Sequence, residues 1–505
     1  MRREQASAQS TKREANVGRN SSKSPASAPR SFQAHPQVNT SANRAQRTFQ
    51  ASLDAAEPLT RRAARLSAIA DTLESNRHRV IQSAARESHL LEAELTPEFD
   101  RTLNTLRLFA SLCSSTNTFF SPTVCPPIQP PDQSIGPNHH LISHLVPIGP
   151  VAVFTASNFP LAYGTLGGDT ASALAAGCPV IIKEHPAHPR TGRLLFTLAK
   201  ATLQKLNPRQ HWLQYLRTPT DPRDHRLAHA LVTHEHIAAV GFTGSFTAGT
   251  ALDTLARTRE HPIPVYAEMG SINPVLITDA ALRERAEPIA HALAQSILAR
   301  AGQQCTKPGL IILLTNNRSL AHGFEAAMAA AFAQASPRAL VAPWIARAFR
   351  QRTQNLSTLR GVRTLTSHST SSESTNAVAP ALHALHNAPL HPALTQETFG
   401  PHSTIFTQPP RRPLPTINAL TWSIFAEPNE PALPALIRHA TAHAGRVILN
   451  GPPTGLRVCA ATVHTGPFPS SNHPASSAAG PHALRRWSRP VCFQNLPGAE
   501  MTTAN

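Results

Sequence analysis

From Val151 onward the chain alternates short apolar runs with helix-length segments, and no other feature limits its possible folds as strongly. V-A-V-F-T at 151–155 reads as a buried strand. The stretch to Ala176 reads as a helix ended by Gly177, with P-V-I-I-K at 179–183 as the next strand. A helix near 191–206 and the strand I-A-A-V-G-F at 237–242 continue the pattern. Further strands at 264–268, 274–278 and 310–315 alternate with helices at 281–301 and 318–334. Parallel strands need crossover connections, and helices are the usual ones. Repeated units of this length therefore imply an α/β protein with helices on both faces of parallel sheets.

The flanks read differently. Residues 1–45 are rich in Ser, Ala, Arg, Gln and Asn, with almost no aliphatics, and read as a disordered basic tail. Leu59, Ala63, Leu66, Ile69 and Leu73 then recur at helical spacing over 57–76, as do Phe99, Leu103, Leu106 and Leu112 over 98–113. The Ser/Thr-rich run at 366–375 and the Pro-rich run at 408–415 read as loops. No apolar run reaches membrane-spanning length and no secretory signal opens the chain, so a soluble, cytoplasmic protein without membrane partners is expected. Six cysteines, scattered without disulfide or zinc spacing, fit a reducing compartment.

The net charge of +18 raises the question of nucleic acid. The basic residues are spread along the chain rather than interleaved with aromatics, which make up only 5%. We therefore expect no nucleic-acid partner, and a basic surface that attracts anionic ligands. Histidines cluster at 139, 140 and 144, at 185 and 188, and at 234 and 236, but no carboxylate or cysteine completes any set, so no metal is expected.

Four segments carry candidate chemistry. T-A-S-N-F-P at 155–160 lies where a parallel strand ends, the edge at which such sheets place ligands. G-F-T-G-S at 241–245 leads a strand into a helix; Ser245 can cap that helix and Gly244 lets a phosphate approach its N-terminus. V-Y-A-E-M-G-S-I-N-P at 265–274 sets Glu268 at the close of an apolar strand, where an acid is unusual unless paired or functional. A-G-Q-Q-C-T-K-P-G at 301–309 places Cys305 at a helix–strand junction, where a thiol can be activated or simply buried. The ordinary G-x-G-x-x-G dinucleotide fingerprint is absent.

In this order the four segments resemble the aldehyde dehydrogenase superfamily, over about residues 50–500. The likeness is closest to its 2-oxoglutarate semialdehyde-oxidising branch. P-I-G-P-V-A-V-F-T-A-S-N-F-P-L-A-Y at 147–163, the run from Gly167 to Pro189 and Y-A-E-M-G-S-I-N-P at 266–274 carry it, with G-R-V-I-L-N-G-P-P-T-G at 445–455 and R-P-V-C-F-Q-N at 489–495. The resemblance implies two Rossmann-like α/β domains plus a small β bridging element. On that plan, 46–265 binds the cofactor, interrupted by a bridging strand at about 131–146. Residues 266–465 form the catalytic domain, and 466–505 return to the cofactor domain and bridge.

It also implies roles. Cys305 would be the nucleophile, Asn158 an oxyanion donor and Glu268 the base that hydrolyses a thioester. Lys183, Gly244, Ser245, Glu397 and Phe399 would hold the cofactor, NADP or NAD. Pro186 stands where NAD-preferring members often carry a Glu, which favours NADP, although Glu184 would oppose the phosphate if it pointed inward. Gln304, beside the nucleophile where relatives carry an aromatic, is expected to alter the aldehyde channel. The segments at 139–146 and 489–495 match the element that pairs subunits, implying a homodimer or homotetramer. The alternatives are a dehydrogenase for a different aldehyde and a catalytically degenerate paralogue with a binding role.

Overall fold

The computed structural model describes residues 35–115, 119–125, 141–219, 221, 224–366 and 376–494. Residues 1–34 of the expected tail, 131–140 of the expected bridging strand and 367–375 of the Ser/Thr-rich run lie outside them.

Four helices come first: α1 (Pro36–Asp54), α2 (Leu59–Glu74), α3 (Arg77–Ser88) and α4 (Glu92–Ser114). The first is a correction, because residues 36–45 were read as disordered tail. Pro36 starts the helix where no N–H is needed, and Val38, Ala42, Ala45 and Phe49 form one buried face. Small side chains allow that face to lie close against its neighbours, so few aliphatics suffice. Helix α3 was also not anticipated; Val80, Ile81 and Ala84 are too sparse a pattern to stand out. Leu66, Ile69 and Leu73 of α2 pack with Phe99, Leu103 and Leu106 of α4 in one core.

After β1 (Thr123–Cys125) and β2 (Leu141–Pro147), the alternating region unfolds as expected: β3 (Val151–Phe154), α5 (Gly168–Ala176), β4 (Val180–Lys183), α6 (Pro189–Leu206), β5 (Leu213–Leu216), α7 (Arg226–Thr233), β6 (Ala239–Thr243), α8 (Phe246–Arg257) and β7 (Val265–Glu268). These strands form a wholly parallel sheet in the order β5-β4-β3-β6-β7. Gly177 ends α5 in the left-handed region at φ +92°, and the Arg62 guanidinium packs where a Cβ would stand, 2.7 Å away.

The second set comprises β8 (Pro274–Thr278), α9 (Asp279–Leu298), β9 (Leu310–Leu314), α10 (Arg318–Ala333), β10 (Arg338–Ala339), α11 (Pro343–Ser357), β11 (Arg363–Thr364), β12 (Ala377–Val378), β13 (Ala381–His386), β14 (His402–Gln408), β15 (Ala419–Phe425), α12 (Leu433–His443) and β16 (Ala444–Leu449). Its sheet runs β11-β13-β14-β9-β8-β15-β16, parallel except for the β11–β13 edge. Strands β8, β9, β14 and β15 are buried along their whole length; the apolar runs of β8 and β9 require it, whereas β14 and β15 carry Ser and Thr inward as well. A single turn of 3-10 helix (Ala299–Gly302) follows α9, shortening the helix that the sequence suggested.

The C-terminal strand β17 (Ser488–Gln494) pairs antiparallel with β2, and β2 with β1, as a three-stranded sheet. The two segments expected to meet in a bridging element do meet. The 3-10 turn Pro481–Trp487 before β17 is sunk into the first core, where the Trp487 indole donates to Ser172 Oγ at 2.8 Å. No helix among the described residues is long and apolar enough to cross a membrane.

Candidate active site

A cavity of about 1390 Å³ opens between the ends of the two sheets, and all eight residues singled out in the sequence line it. Asn158, Lys183, Gly244, Ser245 and Glu268 reach it from the first sheet, and Cys305, Glu397 and Phe399 from the second.

Cys305 sits in the turn between the 3-10 segment and β9. Asn273 secures that turn: fully buried and at φ +46°, it donates Nδ2 to the carbonyls of Cys305 (2.7 Å) and Lys307 (3.0 Å). Asparagine is among the few non-glycine residues at ease in this backbone region. On the other side, Arg300, also left-handed at φ +54°, donates to Glu98 Oε2 (2.6 Å) and to the carbonyl of Asn158 (2.9 Å). Glu98 in turn accepts the N–H groups of Leu161 and Ala162 at 2.8 and 3.0 Å. One buried ion pair thus joins the Asn158 loop to the Cys305 turn, and the Asn158 amide donates to the Gln303 carbonyl at 3.0 Å.

The Gln304 side chain points toward the Ser296 and Ala299 carbonyls, at 3.5 and 3.3 Å. Its amide is therefore directed at the end of α9. The Cys305 Sγ instead faces His464 Nε2 at 3.7 Å, and the His464 ring lies 6.0 Å from Tyr163. Burial, followed by the charges of Glu397 and Glu268, pushes the Cys305 thiol up to about 12. Burial and three guanidinium groups (Arg446, Arg486, Arg101) hold His464 down at about 3, so its ring is neutral.

Glu268 closes β7 and is 3% exposed. The Arg486 guanidinium donates to its Oε1 and also to Asp169 Oδ1 at 3.2 Å. Its Oε2 has no hydrogen-bond partner among the described residues. Burial raises this carboxyl to about 7 against the pull of Arg486. A buried carboxylate with one oxygen clamped and the other free at a cavity wall is suited to taking a proton near neutral pH.

Glu397 packs against Gly270, where a Cβ would fall 2.0 Å from its Oε2; only glycine allows that approach. Withdrawal from water raises the Glu397 carboxyl and lowers the neighbouring Lys307 ammonium, and their mutual attraction opposes both shifts. Lys307 donates to the His402 carbonyl at 2.6 Å.

At the other end, Ser245 caps α8 by accepting the Ala248 N–H at 3.3 Å, and the first turn of that helix faces the cavity. The Lys183 ammonium has no hydrogen-bond partner among the described residues, and burial lowers its pKa. A desolvated cation lining the same cavity as a helix N-terminus fits the phosphates of a dinucleotide. The charge of Glu184 opposes that lowering, but its carboxylate is bound elsewhere. The Glu184 carboxylate is 2% exposed and engaged by Arg193 Nε at 2.7 Å and the Thr218 N–H at 3.2 Å.

Sequence reading missed Arg486, His464, Arg101, Arg446 and Tyr163. Tyr163 lies five residues beyond Asn158 but carries no signal of its own, and the other four reach the site from distant segments; the R-R-W run at 485–487 was the single available cue for Arg486.

Comparison with known proteins agrees with this geometry. The sequence profile of the Aldehyde dehydrogenase family matches residues 9–408. Alpha-ketoglutaric semialdehyde dehydrogenase 2 of Azospirillum brasilense is 38% identical, over 88% of this chain and 84% of its own. The alpha-ketoglutaric semialdehyde dehydrogenase of Acinetobacter baylyi is 34% identical, over 85% and 81%. Among solved structures, succinic semialdehyde dehydrogenase from Streptococcus pyogenes, in complex with NADP+, superposes with a TM-score of 0.74 at 16% identity, covering 91% of this chain and 95% of that one. With a matching profile, two relatives aligned along most of their length and a shared fold, the chain belongs to the aldehyde dehydrogenase family.

Proposed function

We propose that this protein oxidises a small carboxylate-bearing aldehyde, of the 2-oxoglutarate semialdehyde kind, to the acid with NADP as hydride acceptor. One observation carries the substrate class: the positive charges of Arg101 and Arg446 bear on the Cys305 thiol, yet neither has a carboxylate partner among the described residues. Arg101 lies 5.6 Å from the Phe159 ring, and Arg446 donates only to the carbonyls of Gly455 and Pro453. An anionic tail on the aldehyde completes these guanidinium groups. The names of the two aligned relatives support the same class.

The chemistry follows from the side chains. Cys305 rests as a thiol, and its proton passes to solvent as sulfur bonds to the aldehyde carbon. The oxyanion that forms is stabilised by the Asn158 amide. Hydride acceptance is the step that a bound nicotinamide supplies, and it leaves a thioester on Cys305. Glu268 Oε2 then takes a proton from water as that water adds to the thioester, and the Cys305 sulfur leaves with the acid released. Lys183, Gly244 and Ser245 bind the ribose and pyrophosphate, Glu397 the second ribose, and Phe399 the nicotinamide ring. Residues 46–265 with 466–505 form the cofactor half, and 266–465 the catalytic half. The preference for NADP rests on Lys183 having no hydrogen-bond partner among the described residues while Arg193 and Thr218 engage Glu184. We also propose a homodimer or homotetramer built through the β1-β2-β17 sheet, where Val124 and Leu141 are exposed; light scattering in solution reads the state.

The test is a rate assay with NADP and NAD against semialdehydes and neutral aldehydes. Arg101→Met should raise KM for the carboxylate-bearing substrate about tenfold or more and leave neutral aldehydes unchanged. If no aldehyde reduces either cofactor, the reading fails.

A further inference from the structure

We propose that His322, Glu325 and His386 form a binding site for a borderline divalent cation such as Zn2+, separate from the dehydrogenase cavity. Their ligand atoms all lie within 4.8 Å of one another. His322 and Glu325 are one turn apart on α10 and so share a face, and His386 is the last residue of the adjoining strand β13. The histidine sets weighed in the sequence were near neighbours. Here 61 residues separate Glu325 from His386, so spacing could not reveal the cluster.

The hydrogen-bond arithmetic of the cluster does not close. Arg363, from the edge strand β11, donates to Glu325 Oε2 at 2.5 Å and stands 2.9 Å from His386 Nε2. The same Nε2 touches Glu325 Oε1. With a proton on Nε2, two donors face each other across the Arg363 contact. Without it, two lone pairs face each other across the Glu325 contact. A dication in place of the guanidinium accepts lone pairs from both the carboxylate and the unprotonated imidazole, and His322 supplies the third. Two imidazoles and one carboxylate, with water as fourth ligand, suit tetrahedral Zn2+ better than Mg2+ or Ca2+, which prefer all-oxygen shells.

Glu325 is 4% exposed, and a buried carboxylate needs a counter-charge. In the metal-free protein Arg363 provides it. The Arg363 side chain is 51% exposed, so it can swing into solvent when a metal enters. Binding is thus an exchange of one cation for another, and Arg363 lowers the affinity of the site.

The test is a titration of the full chain with Zn2+ in competition with a chromophoric chelator, with Mg2+ as control. A Cys305→Ala background removes the competing Cys305–His464 pair. One equivalent of Zn2+ should be weakened about tenfold or more by His322→Ala and by His386→Gln. Arg363→Gln should tighten it about tenfold, and Zn2+ should raise the thermal midpoint in parallel. His322 is exposed, so its alanine variant remains folded and its dehydrogenase rate, measured with Cys305 intact, is unchanged. Zn2+ binding unaffected by the His322 and His386 variants, or absent even in Arg363→Gln, overturns the proposal.

Discussion

The two sheets serve one cavity from opposite ends of their strands. In the five-stranded sheet, Asn158, Lys183, Gly244 and Glu268 stand at or just beyond the carboxyl ends of β3, β4, β6 and β7. In the seven-stranded sheet, Cys305 precedes β9, and Glu397 and Phe399 precede β14, so that sheet contributes its amino ends. The supports differ accordingly. Groups of the first kind follow directly from the strand ladders and a helix cap, with Arg300 and Arg486 adding further ties to the Asn158 loop and Glu268. Those of the second hang on buried side chains, with Asn273 under Cys305 and the bare Gly270 under Glu397. A parallel sheet offers ready ligand positions only at its carboxyl ends. At the amino ends the positions must be assembled.

Substitutions can break or sharpen that contrast. Cys305→Ala should give the largest loss, at least about 10³-fold in turnover, with no initial burst of reduced cofactor. Glu268→Gln should lower steady turnover by about 10²–10³-fold while the burst survives, because only hydrolysis of the thioester needs the base. The same residue sets a pH dependence. Its carboxyl is raised to about 7, so it is protonated and inactive below that pH, and the hydrolytic rate rises with pH through about 7. Stopped-flow traces across pH 6–8 on the order of that value read both effects.

Asn273→Ala should cut the burst rate by about 10²-fold and raise the cofactor KM by much less, since its bonds to the Cys305 turn lie under the nucleophile and those to Ser271 and Thr421 act only indirectly on the cofactor side. An equal loss in cofactor binding would erase the distinction between the two sheets. On the first sheet, Lys183→Met should reduce kcat/KM for NADP about tenfold more than for NAD, with the burst amplitude intact.

The smallest effect concerns stability. Glu94 is held at about 2: partial burial pushes it up, but Arg338 and the N–H groups of Leu91 and Arg300 pull it further down. Its stabilising contribution is therefore complete above the ordinary carboxylate range and is lost as pH falls through about 2. Glu94→Gln should cost about 1 kcal/mol at neutral pH, and urea unfolding midpoints should show the gap to the wild type closing in acid.

The contrast also explains what the sequence disclosed. Strands with unbroken apolar runs, and glycine at the end of α5, announce themselves locally, and so do motifs at carboxyl ends of strands. Cys305 and Glu397 were found only through a likeness spread over many blocks, because nothing near either residue dictates its surroundings. The groups that tune them were invisible: Arg486, His464 and Arg446 come from segments more than 150 residues beyond their partners for the first two contacts with Glu268 and Cys305. Gln304 was legible in position only, since its side-chain direction depends on where α9 ends. The start of α1 was hidden because alanine and serine can build a packed face that composition reads as polar.

Arg486 has one more consequence, for the order in which this enzyme is made. The nucleophile, the Asn158 loop and the base all leave the ribosome long before residue 486, which the chain's own contacts place in full burial against Glu268 and Asp169. Until the segment around Trp487 seats itself in the first core, Glu268 lacks the cation that keeps its proton affinity down to near neutrality. A chain in which that segment is not yet seated therefore carries its thiol without a working base, and competence to release product arrives only once Arg486 stands against Glu268.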